Sequence, residues 1–262
     1  VRELNAVGWS SVVEGGFLTA MSEFDSTLAR TATDPEAEGS KTLAGDLQNG
    51  KGDFFNDLLA LLLERCAGVE TLYTRGKVPG LVVETHNLDG VYPASGEIGF
   101  LLEAKMMGTP RHALNPAERP LGRLGSADIG KRVKELAFKS IDLKGEQSRR
   151  RALLGKRPVE GGAGGGDLTT WLHRVSPRIY FFLAARVISD TDFRAVLRWV
   201  GTASRVVDAV GLYCYEPIDG TTTTYRRRDG VPTEFALERV LHGACLDLQA
   251  LAGRNGHRQS ID

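Results

Sequence analysis

The run Phe100-Leu101-Leu102-Glu103-Ala104-Lys105 sets the tightest limit on what this chain can fold into. Three large apolar residues in a row read as the buried part of a strand, yet the run ends in an acid and a lysine two positions apart. Side chains on a strand alternate between faces, so Glu103 and Lys105 project to one side and Ala104 to the other. Leu101 shares their face, and the charged pair therefore continues an apolar row. A second extended segment, Asn87-Leu88-Asp89-Gly90, precedes it across a turn at Ala94-Ser95-Gly96. If that turn folds the segments together, Asp89 joins Glu103 and Lys105. Two carboxylates and an ammonium then meet at one sheet end, a group able to hold a divalent ion and a water. The plainer reading of Glu-x-Lys is a solvated pair on a strand surface, worth about 0.2–1 kcal/mol.

The flanking segments define the sheet. Apolar residues from Val12 to Phe24 recur at helical spacing, and residues 31–39 have the composition of an exposed connector. Gly50-Lys51-Gly52 reads as a break, after which Asp53 can cap a leucine-rich helix over 54–66 that stops at Gly68. Residues 81–85, rich in β-branched side chains, predict a strand entered through Val78-Pro79-Gly80. Residues 110–125 form a long loop with three prolines. Ser126-Ala127-Asp128 can cap a helix over 129–152, and the apolar run 178–188 predicts a central strand. Ser189 to Asp192 cap a helix over 193–210, residues 212–215 make another strand, and residues 221–225 are extended. Thr233 caps a last helix over 234–251. Strands paired locally and then separated by helices predict an α/β fold with a mixed sheet and helices packed on it. The expected organisation is a helical extension over 1–45, a core over 46–217, and an extension over 218–262 with a basic segment and a helix. The opening Val1-Arg2-Glu3 lacks both an initiator methionine and a signal-peptide pattern, as expected where numbering begins inside a longer protein or after trimming.

Composition narrows the partners. Basic and acidic residues number 33 each among 262, so nucleic-acid contact must come from local clusters. The longest apolar run, around 179–188, is broken by Arg186 and too short for a membrane span. Cys66, Cys214 and Cys245 lie far apart in apolar settings, which predicts buried thiols in a reducing, cytoplasmic compartment.

The order αβββαβ, with Leu88-Asp89 on the second strand and Glu103-Ala104-Lys105 on the third, resembles the PD-(D/E)XK nuclease superfamily, to which many restriction endonucleases belong. The resemblance spans about residues 50 to 217 on a signature of three residues. Leu88 stands where the family name has proline, a position that carries no chemistry. The resemblance implies a restriction-endonuclease-like core with helices on both faces of the sheet. It also implies a Mg²⁺-dependent DNA endonuclease of type II-like restriction character, with Mn²⁺ able to substitute, acting on double-stranded DNA as a homodimer without a nucleotide cofactor. Asp89, Glu103 and the Ala104 carbonyl would hold the metal. Lys105 would orient the attacking water or stabilise charge on the scissile phosphate. The family often adds an acid from the first core helix; here Asp57 is the choice, with Asp53 as an N-cap and Glu84 a weaker candidate. Two alternatives stand beside this: a repair or recombination nuclease for structured, damaged or modified DNA, and a non-catalytic nucleic-acid-binding protein on the same fold.

Two basic clusters can contact phosphates: Arg149-Arg150-Arg151 with Lys156-Arg157, and Arg226-Arg227-Arg228 after residues 221–225. Cationic runs are also commonly solvated faces. Lys131, Arg132 and Lys134 face a substrate if their helix borders the cleft. The five histidines show no metal spacing, and His86, close to Asp89, is a candidate substrate contact. The glycine run 161–166 lacks a P-loop lysine and a preceding strand, and reads as a flexible surface loop. No Gly-x-Ser-x-Gly elbow occurs, which excludes that class of serine hydrolase.

Overall fold

In the computed structural model the described residues are 8–31, 40–69, 72–93, 98–110, 122–153, 176–218 and 223–256. Two helices lead, α1 (Ser11–Thr31) and α2 (Ser40–Ala67), followed by strands β1 (Tyr73–Pro79), β2 (Thr85–Tyr92) and β3 (Phe100–Met107). Helix α3 (Ile129–Leu153), strand β4 (Arg178–Arg186), helix α4 (Asp190–Ala203) and strand β5 (Ala209–Pro217) come next. Strand β6 (Tyr225–Arg227), a 3-10 turn at Thr233–Phe235 and helix α5 (Leu237–Gly256) close the series.

All six strands lie in one sheet in the order β1-β2-β3-β4-β5-β6. The first three form an antiparallel meander, β3, β4 and β5 run parallel, and β6 returns antiparallel. The predicted α/β class with a mixed sheet is the observed one. Alternation divides each central strand between two apolar clusters. Phe100, Leu102, Tyr180 and Phe182 meet α1, α2 and α5, whereas Leu101, Ile179, Phe181 and Leu183 meet α3 and α4. Helices therefore cover both faces, and β3 and β4 read as continuous apolar runs because both their faces are buried.

Several local expectations give way to tertiary packing. Gly50-Lys51-Gly52 lies inside α2 and breaks nothing; a Cβ on Gly50 would stand 3.4 Å from the Phe24 ring, so the glycine sits at the contact between α1 and α2. Helix propensity, about 1 kcal/mol against each glycine, is overridden there. Residues 81–83 are an exposed turn and not a strand. The Asp142 carboxylate holds this turn, accepting from Val82 N (2.7 Å) and Val83 N (3.3 Å). Helix α4 stops at Ala203, so Val210 belongs to β5, while Ser189 caps α4 as expected by accepting from Asp192 N. Asp128 has φ of 60° and its side chain pairs with Arg123, so it does not cap α3.

The proposed segment boundaries do not separate packed units. Position 45/46 falls within α2, and Phe17 and Met21 share one apolar cluster with Leu59, Phe182 and Leu248. Cys66 and Cys245, expected as thiols, form a disulfide between α2 and α5 with Cα atoms 5.9 Å apart; Cys214 is a buried free thiol. The turn at 94–96, the glycine run 161–166, Lys156 and Arg157, and most of the loop 110–125 lie outside the described residues. No helix among the described residues is long and apolar enough to cross a membrane.

Candidate active site

Strands β2 and β3 pair only over Gly90↔Leu102, Val91↔Leu101 and Tyr92↔Phe100. Before Gly90, β2 stays bonded to β1, and beyond Leu102, β3 stays bonded to β4. The two strands fork at that point. A fork strips ladder partners from backbone groups that must find others. Asp89, at the crotch, supplies one: its Oδ2 accepts from Ala104 N at 2.8 Å. Gly90 permits the close approach, since a Cβ there would lie 2.9 Å from Leu72 Cδ2 and 3.2 Å from Leu102 Cβ.

Inside the fork, Lys105 Nζ stands 2.9 Å from Asp89 Oδ2, 2.9 Å from Glu103 Oε1 and 2.8 Å from the Ala104 carbonyl oxygen. Burial opposes the charge on Lys105, but Glu103 and Asp89 outweigh it and raise its pKa above the ordinary lysine value. It is therefore a lasting ammonium at neutral pH. A second lysine closes the arrangement. Lys139 of α3 donates to Glu103 Oε2 and to the Asn87 carbonyl, each at 2.8 Å. On the other face of the sheet, Asn56 of α2 is buried and donates from Nδ2 to the Asp89 carbonyl at 3.3 Å. Two carboxylates and two ammoniums thus neutralise one another, Glu103 buried and the other three half-buried.

Two clefts meet here. One, of about 330 Å³, is lined by His86, Glu103, Lys105, Arg132, Phe138 and Lys139 among others. The other, of about 220 Å³, is lined by Lys51, Lys105, Arg123, Asp128 and Arg132 among others. Lys105 and Arg132 belong to both.

The residues fit a hard divalent cation. Three oxygens, two from carboxylates and one from a carbonyl, converge within 2.9 Å of a single cationic atom, Lys105 Nζ, which marks where a positive charge is best placed. Mg²⁺ is commonly bound by one or two carboxylates with waters and substrate phosphate completing its shell. No group of three or more His, Cys, Asp or Glu suited to a metal occurs among the described residues. An ion at the fork would therefore be held by only two carboxylates and a carbonyl of the protein.

The structure brings Asp89, Glu103, Ala104 and Lys105 together. Asp57 is exposed and points elsewhere on α2; its neighbour Asn56 makes the contact with β2. Asp53 is exposed and paired with Arg75, and Glu84 is exposed in the turn before β2. His86 is buried with Nε2 2.7 Å from Asp142 Oδ2, a satisfied wall residue of the larger cleft. Burial opposes the charge on Asp142, but bonds to His86, Val82 N and Val83 N outweigh it and hold its pKa below the ordinary carboxylate value. Arg149 and Arg150 both bind Glu146, and Arg151 is exposed. Arg226 and Arg228 bind Glu216, Arg228 also binds Asp190, and Arg227 binds Glu238 and Glu14. Lys131 and Lys134 are exposed on α3, outside both linings.

Lys139 and Asn56 were not among the predicted site residues. Lys139 had a signal: it lies three residues after Leu136 and four before Leu143, where the apolar stripe of α3 calls for a hydrophobe. Asn56 had none, because an Asn inside a leucine-rich helix reads as a surface position. Family models, curated proteins and solved structures yield no match to this chain.

Proposed function

We propose that this chain is a divalent-metal-dependent DNA endonuclease with a PD-(D/E)XK, restriction-endonuclease-like core. The observation that carries the reading is the fork, where oxygens of Asp89, Glu103 and Ala104 converge on one cationic point beside two clefts. A bound Mg²⁺ would supply Lewis-acid polarisation of the phosphoryl oxygens and a more acidic water. Asp89, Glu103 and the Ala104 carbonyl would hold it. Lys105, tethered on β3 beside these oxygens, would orient the attacking water or stabilise charge on a phosphoryl oxygen. Lys139 holds the second oxygen of Glu103 and fixes which oxygen faces the fork. Asn56 steadies the β2 backbone behind Asp89.

Double-stranded DNA as substrate and type II-like restriction as the role complete this reading and come from the family resemblance; a homodimer would cut both strands. Action on structured, damaged or modified DNA is the nearest variant of it. The pairing of both carboxylates with lysines favours one rival, a charge-neutral structural cluster in a non-catalytic DNA-binding protein.

Plasmid and oligonucleotide DNA, plain, methylated or branched, separates these possibilities. Cleavage is expected with Mg²⁺ or Mn²⁺ and not with EDTA. Lys105→Ala should lower the single-turnover rate on the order of a hundred- to a thousand-fold, the scale of losing one preorganised charge donor. Its circular dichroism spectrum should remain that of the unaltered protein. Binding without cleavage of every substrate, with either metal, would leave the rival standing.

A further inference from the structure

The smaller cleft, beyond Lys105 along β3, has been given no ligand of its own. Its described lining carries four cations, Lys51, Lys105, Arg123 and Arg132, against one carboxylate, Asp128. Lys51 is only 3% exposed and is bonded to Asp25 at 2.7 Å, while Asp25 also accepts from the Tyr225 hydroxyl at 2.6 Å. Burial lowers the pKa of Lys51, Asp25 works against that, and the like charge of buried Arg186 lowers it further. An ammonium in such a place is only partly compensated, and an anion in the cleft would offset the remainder. Arg123 and Arg132 are nearly half exposed, at 46% and 42%. Each commits one guanidinium nitrogen to a neighbour, Asp128 and Glu135 respectively. The remaining donors of each planar fork are left for a bidentate acceptor. No aromatic ring belongs to the described lining, so a base has nothing to stack on.

We propose that this cleft is a phosphate subsite, taking the phosphodiester next to the scissile one on the same strand. The proposal rests on the nuclease reading for its place along DNA, because Lys105 and Arg132 line both clefts and a strand cut at the fork runs on into the second. Its chemistry stands apart from that reading: the ligand is a tetrahedral oxyanion recognised by Arg123, Arg132 and Lys51, without base contacts. Such contacts position the strand and carry no sequence information.

The test has two arms, using Arg123→Gln, Arg132→Gln and the double variant, all at exposed positions, with melting temperatures as the control for folding. In EDTA, inorganic phosphate is titrated into the full chain and followed by calorimetry and by NMR of arginine side chains. Saturable binding is expected, about ten-fold weaker in the double variant, as for the loss of charge-assisted hydrogen bonds. No saturation, or equal affinity in all the proteins, overturns the subsite. In the second arm, a DNA substrate carries one neutral methylphosphonate beside the cut. It should raise KM about ten-fold for the unaltered protein and less than two-fold further for the double variant, because the partners of that phosphate are already gone. An equal penalty in both proteins overturns the placement. If no DNA is cut at all, the nuclease reading fails while the phosphate titration still decides the subsite. If DNA is cut and neither arm responds, the subsite alone falls.

Discussion

Charges of both signs gather at two places on this sheet, the fork between β2 and β3 and the edge formed by β5 and β6. At the edge the ladder is intact: Glu216 faces Arg226 directly across β5 and β6, with Arg228 on the same carboxylate and Arg227 held by Glu14 and Glu238. At the fork the ladder has ended, so backbone groups and side chains compete for the same partners and a carboxylate does the work of a strand. The edge pairs are about as enclosed as the fork, with Arg228 29% and Glu216 17% exposed, but they are spread along the strand edge and line neither cleft. The fork charges crowd one point and open on two clefts. Acid–cation pairs therefore do different things according to whether the backbone beneath them is already satisfied. The β6 edge also lies three strands from β3, about 14 Å at ordinary strand spacing.

The sharpest way to break this contrast is Glu103→Gln, which keeps shape and removes one converging charge. Metal-dependent cleavage should fall about a thousand-fold, while the same assay on Arg226→Ala should show no loss. If both variants fall alike, the fork is not special. Lys139→Ala comes next. With Glu103 no longer held from α3, cleavage should fall about a hundred-fold. Lys139→Arg should recover part of that loss, and its Mg²⁺ requirement should shift less than that of the alanine variant.

Asp142 tests the wall of the fork by stability. Asp142→Asn should cost about 2 kcal/mol in urea unfolding at pH 7, because the buried His86 and the part-buried amides of Val82 and Val83 lose a charged acceptor. The folded-state pKa of Asp142 is depressed, so its contribution is present above the ordinary aspartate value near pH 4. That contribution is lost as pH falls through the lower folded value. The unaltered protein should accordingly lose stability more steeply below about pH 4 than the asparagine variant. The smallest effect belongs to the edge: Arg226→Ala should change stability by about 0–1 kcal/mol, since that side chain is largely exposed. A larger cost would mean that the edge cluster holds the sheet more tightly than its solvent exposure allows.

Much of the site was legible from local pattern. Phe100 to Lys105 alternates as a strand must, and the apolar residues before Glu103 showed that the strand is buried. Asp89 lay one hairpin away. Lys139 was harder to see, because its partner Glu103 is 36 residues distant and only the packing of α3 on β3 brings them together. The strand expected at 81–85 failed for a related reason. β-Branched side chains favour extended backbone, but Asp142 bonds three residues of that segment into a turn, and β1 forms earlier, over Tyr73–Pro79. The cysteine expectation failed because Cys66 and Cys245 are 179 residues apart and meet only where α2 and α5 share a face.

Periodicity and residue type, which act over a few positions, determined the α/β class, the apolar central strands, the long helix α3 and the acids and lysine of the fork. Tertiary structure alone decided which charges are committed and which are free to act. It set Lys139 on Glu103, turned Asn56 rather than Asp57 toward β2, and placed every arginine of 226–228 against an acid. The reason is range. Propensity and alternation are properties of neighbours along the chain, whereas ion pairs, a disulfide and the parting of two strands depend on distances through space that only packing sets.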